Sequence, residues 1–289
     1  MNFSSSNSSD SNTIIMDLQH QLLASGFGLT AALHAVGLIL LYKANDNDLP
    51  NQRWVTMNLA TTEMIFCLWS ICRYLWFFFA YKEYFKHHLL IMFIDTHLYT
   101  IIKFAILHII IDRFLYIYMN IKYSVYVTKK VLIITNIMQW LVSIILNMTL
   151  TLNKASLVSC YAYLFVDIII IITTVASFIY ILIKIRNINK TVDSRKRKYG
   201  LLKIWLKLKI PTLMVLSYIV FNGSSTVMKV YYATYKAFDL VVPATIIDLC
   251  GYLSDVLCYI FLQKRIRTLL VPRKKKGNSC GKLDSIRVI

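Results

Sequence analysis

Seven stretches of roughly 20 or more mostly apolar residues, separated by short polar segments, dominate this chain of 289 residues. They run 22–43, 54–79, 89–118, 131–152, 161–185, 209–232 and 240–262. A hydrocarbon core ~30 Å thick takes about 20 such residues per helix, and backbone groups in lipid must be satisfied within the segment itself. The pattern therefore predicts an all-α membrane protein, a bundle of seven transmembrane helices. Composition agrees: 16% of residues are charged and mean hydropathy is +0.58, whereas a soluble domain carries about a quarter charged residues. The third stretch is interrupted by Asp95, Lys103, Asp112 and Arg113. The sixth is the least apolar at its edges, with Lys207, Lys209 and Lys229.

A formal charge of +18 would suit a nucleic-acid-binding protein, but position excludes that partner. With the N-terminus outside, 24 of the 32 basic residues fall in cytoplasmic segments and five at the outer ends. Basic residues accumulate on the cytoplasmic side of membrane proteins, so the expected topology is an outside N-terminus in the plasma membrane. Residues 1–21 then form an extracellular tail, whose sequons at Asn2 and Asn7 are candidate glycosylation sites. Residues 22–262 form the helical domain and 263–289 a cytoplasmic segment. Its apolar positions Leu262, Ile266, Leu269 and Leu270 share one helical face opposite Lys264, Arg265 and Arg267. A short interfacial eighth helix is expected there, with Arg273–Lys276 beside anionic membrane lipids. None of the six cysteines forms a metal-ligand pair, so no metal site is expected.

Ionisable groups inside a bilayer are costly, about 2.5–3.5 kcal/mol each on insertion scales, so each needs a partner or a task. Glu63 and Arg73 lie in the second span, Asp95, Lys103, Asp112 and Arg113 in the third, and Asp248 and Asp255 in the seventh. Asp167 lies near the outer end of the fifth. Spans two, three and seven are therefore expected to face one another around a polar interior.

The third span ends in Asp112-Arg113-Phe114, followed by Asn120-Ile121-Lys122-Tyr123. Span two carries Asn58-Leu59-Ala60-Thr61-Thr62-Glu63, Trp140 follows Arg113 by 27 residues, Tyr180 lies near the inner end of span five, and span seven ends Asp255-Val256-Leu257-Cys258-Tyr259. With His34 in the first span, these anchors resemble those of the rhodopsin-like (class A) G-protein-coupled receptors over about residues 22–272. The resemblance is to a divergent, orphan-like member. Phe114 stands for a tyrosine, Val256 for a proline, and Tyr218–Ser224 for the sixth-helix tryptophan motif. The start of span three has His87 and His88 in place of a cysteine, leaving Cys160 without that family's disulfide partner.

The resemblance implies a cell-surface receptor that binds an extracellular ligand and activates heterotrimeric G proteins. It assigns Asp112, Arg113, Phe114, Tyr180, Asp255 and Tyr259 to the activation switch. Glu63 and Asp255 fall where the family binds a sodium ion, and Lys103 is expected to serve there as an internal counter-ion. Apart from that ion no cofactor is expected. Two roles are open to Asp95: the carboxylate that amine receptors of this family use, or an ion pair with Arg73. Asp95, Arg73 and Asp248 are the candidate ligand-binding residues, for an amine, a peptide or another small polar molecule. The alternative is a transporter or ion channel lined by Glu63, Lys103, Asp248 and Asp255, against which stands the lack of an internal repeat. The scattered histidines give no convergent catalytic group, so enzyme activity is not expected.

Overall fold

The computed structural model describes residues 7–43, 50–80, 87–119, 122–152, 156–191, 194–236 and 240–262. The described residues contain seven long helices: α1 (Asn7–Lys43), α2 (Pro50–Phe79), α3 (His88–Met119), α4 (Lys129–Leu152), α5 (Ser156–Thr191), α6 (Ser194–Tyr235) and α7 (Val241–Leu262). A single helical turn, Tyr123–Tyr126, lies between α3 and α4. No strand occurs among the described residues. By their described residues, six of the long helices are long and apolar enough to cross a membrane. In α5 the described apolar segment is Leu164–Ser177. The chain is thus a helical membrane protein.

Three of the expected spans, 89–118, 131–152 and 240–262, match helices to within two residues at either end. α1 and α6 begin well ahead of expectation. The basic run Arg195–Lys198 and Cys160, which lie outside the expected spans, are helical backbone of α6 and α5. α6 runs through Pro211 without a break in helix assignment. Prolines elsewhere sit where the backbone tolerates them. Pro50 is the first residue of α2 and Pro243 the third of α7, where N–H groups have no intrahelical acceptor. The proposed interfacial helix and the Asn2 sequon lie outside the described residues. The Asn7 side chain does too, although its backbone opens α1.

Polarity is inverted relative to a soluble bundle. Ile134, Ile137, Ile145, Phe165, Ile172 and Val175 are exposed, while Glu63, Lys103, Asp112, Asp167, Asp248 and Asp255 are buried. An outward apolar surface matches lipid, and the charges avoid it by facing inward. α3 is the hub, packing against α2, α4, α5 and α6, and α1 closes the ring by packing on both α2 and α7. Many hydroxyls bond back to the carbonyl four residues earlier, as Thr62 does to Asn58 and Thr174 to Ile170, which satisfies them without a partner helix.

Because lipid tails are as apolar as leucine, helix association here depends on close packing and on polar contacts. Gly37 shows the first. A Cβ placed on it would clash with the ring of Tyr259, so glycine lets the α7 ring approach α1 closely. Gly37→Ala is expected to lower stability by about 1–3 kcal/mol through overpacking. Thermal denaturation of the purified protein checks this, and an unchanged midpoint would contradict the contact.

Candidate functional site

Asp95, Tyr99 and Lys103 recur every four residues on α3, which aligns them on one helical face. That face begins in a cavity of about 900 Å³. The cavity is lined by His20 of α1, Phe77 of α2, Ile91 of α3, Lys236 just after α6 and Val241 of α7. It therefore lies at the near end of the bundle, where α1, α3, α5 and α7 begin. Arg73, Asp95 and Asp248 all line it. Arg73 and Asp95 form an ion pair between α2 and α3, and Trp69 Nε1 donates to the second Asp95 oxygen at 2.5 Å. The ion-pair role of Asp95 is thus the one seen. Asp248 is also taken: Lys229 Nζ lies 2.5 Å from Oδ2, and the Tyr99 hydroxyl donates to Oδ1 at 3.3 Å.

Below the cavity the polar groups continue. Thr226 Oγ1 lies 3.5 Å from the Tyr99 hydroxyl, and Lys103 Nζ donates to it at 3.4 Å. Lys103 also donates to Asp167 Oδ2 at 2.7 Å, and Tyr218 donates to the other oxygen of Asp167. One buried network therefore ties together α3, α5, α6 and α7. This corrects the expected place of Lys103, whose ammonium pairs with Asp167 rather than standing as counter-ion between Glu63 and Asp255. Asp167 was passed over because it was read as lying near a helix end. It was the sole carboxylate in an otherwise apolar span, and that was the available signal.

Glu63 and Asp255 form a separate cluster with α1. Their carboxyl groups adjoin, and the Ser217 hydroxyl lies beside Asp255 without completing a hydrogen bond. None of the four carboxyl oxygens has a hydrogen-bond partner, although all are buried. His34 Nε2 approaches Glu63 at 3.6 Å, too far for a hydrogen bond, while His34 Nδ1 and the Tyr259 hydroxyl are 2.5 Å apart. No group of three or more His, Cys, Asp or Glu able to hold a metal ion occurs among the described residues.

At the far end of the bundle, Asp112 and Arg113 close a third cluster. Asp112 takes the Arg113 guanidinium on one oxygen and the Tyr123 hydroxyl on the other. Both members of the pair are buried. Tyr123 belongs to the single turn after α3, which folds back so that its ring also meets Tyr116 at 5.3 Å. Tyr180 sits against the rings of Phe114 and Tyr118, at 5.1 and 6.0 Å between centroids. The Phe114, Tyr118 and Tyr180 rings thus form an aromatic cluster joining α3 to α5. Trp140 packs edge-on to His97, linking α4 to α3. Between the Lys103 network and the Arg113 cluster, α3 buries Ile106, Ile109 and Ile110 together with His108.

The chain matches no protein-family model, and no curated protein matches it.

Proposed function

We propose that this chain is a seven-helix receptor of the plasma membrane, with its N-terminus outside, that binds a ligand in the near-end cavity and activates heterotrimeric G proteins at the far end. The observation that carries this reading is the layout of α3. The helix lines a sizeable cavity at one end and holds a buried Asp112–Arg113–Tyr123 latch at the other, with the buried Ile106, Ile109 and Ile110 between them. Coupling between the two ends then passes through movement of whole helices. In the resting state Asp112 holds Arg113. A ligand that binds the moved arrangement more tightly shifts the population toward it. The basic start of α6 and the expected interfacial helix at 263–289 then border the opened groove.

A channel or transporter reading has less support. Lys103 and Lys229 are each paired across helices with a carboxylate, which suits locks between helices better than a continuous conduction path. A panel of G-protein reporters in cells tests the proposal. Activation by the parent chain, abolished by Arg113→Ala at equal surface expression, is the expected result. Ion flux that persists in Arg113→Ala, with no reporter response from the parent, would sink it.

A sodium ion fits the Glu63–Asp255 cluster, because four buried carboxyl oxygens without donors make a cation site. Glu63 and Asp255 would hold the ion, with the Ser217 hydroxyl beside them. Sodium is then expected to raise the thermal midpoint of the purified parent, but not that of Asp255→Asn. Equal sodium responses in the two would remove the ion from the account.

A further inference from the structure

Among the described residues, the charged ones lining the near-end cavity are three cations, Arg73, Lys229 and Lys236, and two carboxylates, Asp95 and Asp248. Both carboxylates already have two donors each. Asp95 is held by Arg73 and Trp69, and Asp248 by Lys229 and Tyr99. A protonated amine entering the cavity must therefore evict a resident cation, exchanging one ion pair for another while losing its own hydration. An anion needs no such exchange. It meets Lys236, which is exposed and has no carboxylate partner among the described residues, while Lys229 stays paired with Asp248.

The backbone at Lys236 bears on the same point. Its φ of 55° puts a lysine in the left-handed region, where α6 ends and the chain turns toward α7. Glycine takes this conformation freely, whereas other residues hold it at a penalty of about 1–2 kcal/mol. Strained positions of this kind cluster at ligand clamps. The remaining walls are largely apolar and aromatic, with Phe27, Phe66, Tyr74 and Phe77 on the α1–α2 side and Met92 and Val230 on the other. A volume of about 900 Å³ admits a body of drug-like size.

We infer that the cavity binds an organic anion with an aromatic or similarly bulky apolar body, an arylalkyl carboxylate being the simplest case, with its charge held by Lys236. The inference rests on the reading of this cavity as the ligand site of a receptor.

A matched pair of probes tests it: 1-pyrenebutyrate and 1-pyrenebutylamine, which share one aromatic body and carry opposite charge. The full chain is placed in lipid nanodiscs, and energy transfer from its tryptophans to pyrene is read against empty nanodiscs. Trp69 is hydrogen-bonded to Asp95, which lines the cavity, and serves as a nearby donor. The expected result is saturable binding of the butyrate, about tenfold tighter than the amine, and a similar loss in Lys236→Gln, as for one charge-assisted contact. Lys236 is exposed, so Lys236→Gln should keep the parent thermal midpoint and isolate binding from folding. Tighter binding of the amine, no saturable binding of the butyrate, or butyrate affinity unchanged in Lys236→Gln would each overturn the inference. No G protein is present, so the two readings fail separately. Selective anion binding without any G-protein response overturns the receptor reading alone, and a G-protein response with amine selectivity overturns this one alone.

Discussion

Lys103→Met is expected to be the most destabilising single change in the membrane-spanning core, lowering stability by about 3–5 kcal/mol. Lys103 and Asp167 are both almost fully buried and 2.7 Å apart, so removing the ammonium strands a carboxylate among apolar helices. The Tyr218 hydroxyl still donates to it, but a hydroxyl does not neutralise a charge. On the scaling seen for domains of this size, the thermal midpoint should fall on the order of 10 °C. The double variant Lys103→Met, Asp167→Asn should recover most of that loss, because the penalty comes from the unpaired charge more than from the lost pair. A thermal denaturation series on the purified parent, single and double variants checks both parts. A single variant as stable as the parent, or a double variant no better than the single, would show that the pair does not hold α3 to α5. The Arg73–Asp95 pair makes a useful contrast. Its side chains are 21% and 24% exposed, so solvent screens it, and its loss should cost far less.

Asp112→Asn is expected to raise ligand-independent signalling if Asp112 is the resting latch. The carboxylate holds two groups, the Arg113 guanidinium and the Tyr123 hydroxyl, and asparagine keeps the shape without the charge. A hydrogen bond to a charged group contributes about 1.5–3 kcal/mol. Removing that preference should shift the resting-to-active equilibrium by roughly ten- to a hundredfold. Reporter activity normalised to surface expression measures it. Tyr123→Phe removes one of the two ties and should give a smaller rise in the same direction. Basal activity in Asp112→Asn at or below that of the parent would mean that the pair holds structure and not a switch.

The helices were legible because their signal is long and repeated. A span of 20 apolar residues leaves few alternatives in a chain whose charges sit between such spans. The ends of α1 and α6 were not, because a helix that continues past the bilayer loses its apolar character while keeping its hydrogen bonds. The same limit hid the start of α6, which lies ahead of Lys207 and Lys209. Which ionisable residues are buried was also readable, since each breaks an apolar run. Who pairs with whom was less so. Arg73–Asp95 was one of two roles open to Asp95, whereas Lys103–Asp167 and Lys229–Asp248 pair residues that helical spacing alone does not bring together. Helical spacing gives the face of α3 on which Lys103 lies, but not which neighbour stands across from it. Tyr123 was seen only as part of a loop motif, and its contact with Asp112 depends on the single turn that returns it to the end of α3.

The account stands on the coupling of the far-end latch to a G protein, and reconstituted nucleotide exchange tests it most directly. The purified parent, Asp112→Asn and Arg113→Ala are placed in nanodiscs with members of each heterotrimeric G-protein class, and the rate of guanine-nucleotide exchange is measured. The account predicts faster exchange with the parent on at least one class, a further rise with Asp112→Asn, and the uncatalysed rate with Arg113→Ala. Exchange at the uncatalysed rate for all three proteins across every class, or equal acceleration by the parent and Arg113→Ala, would contradict it.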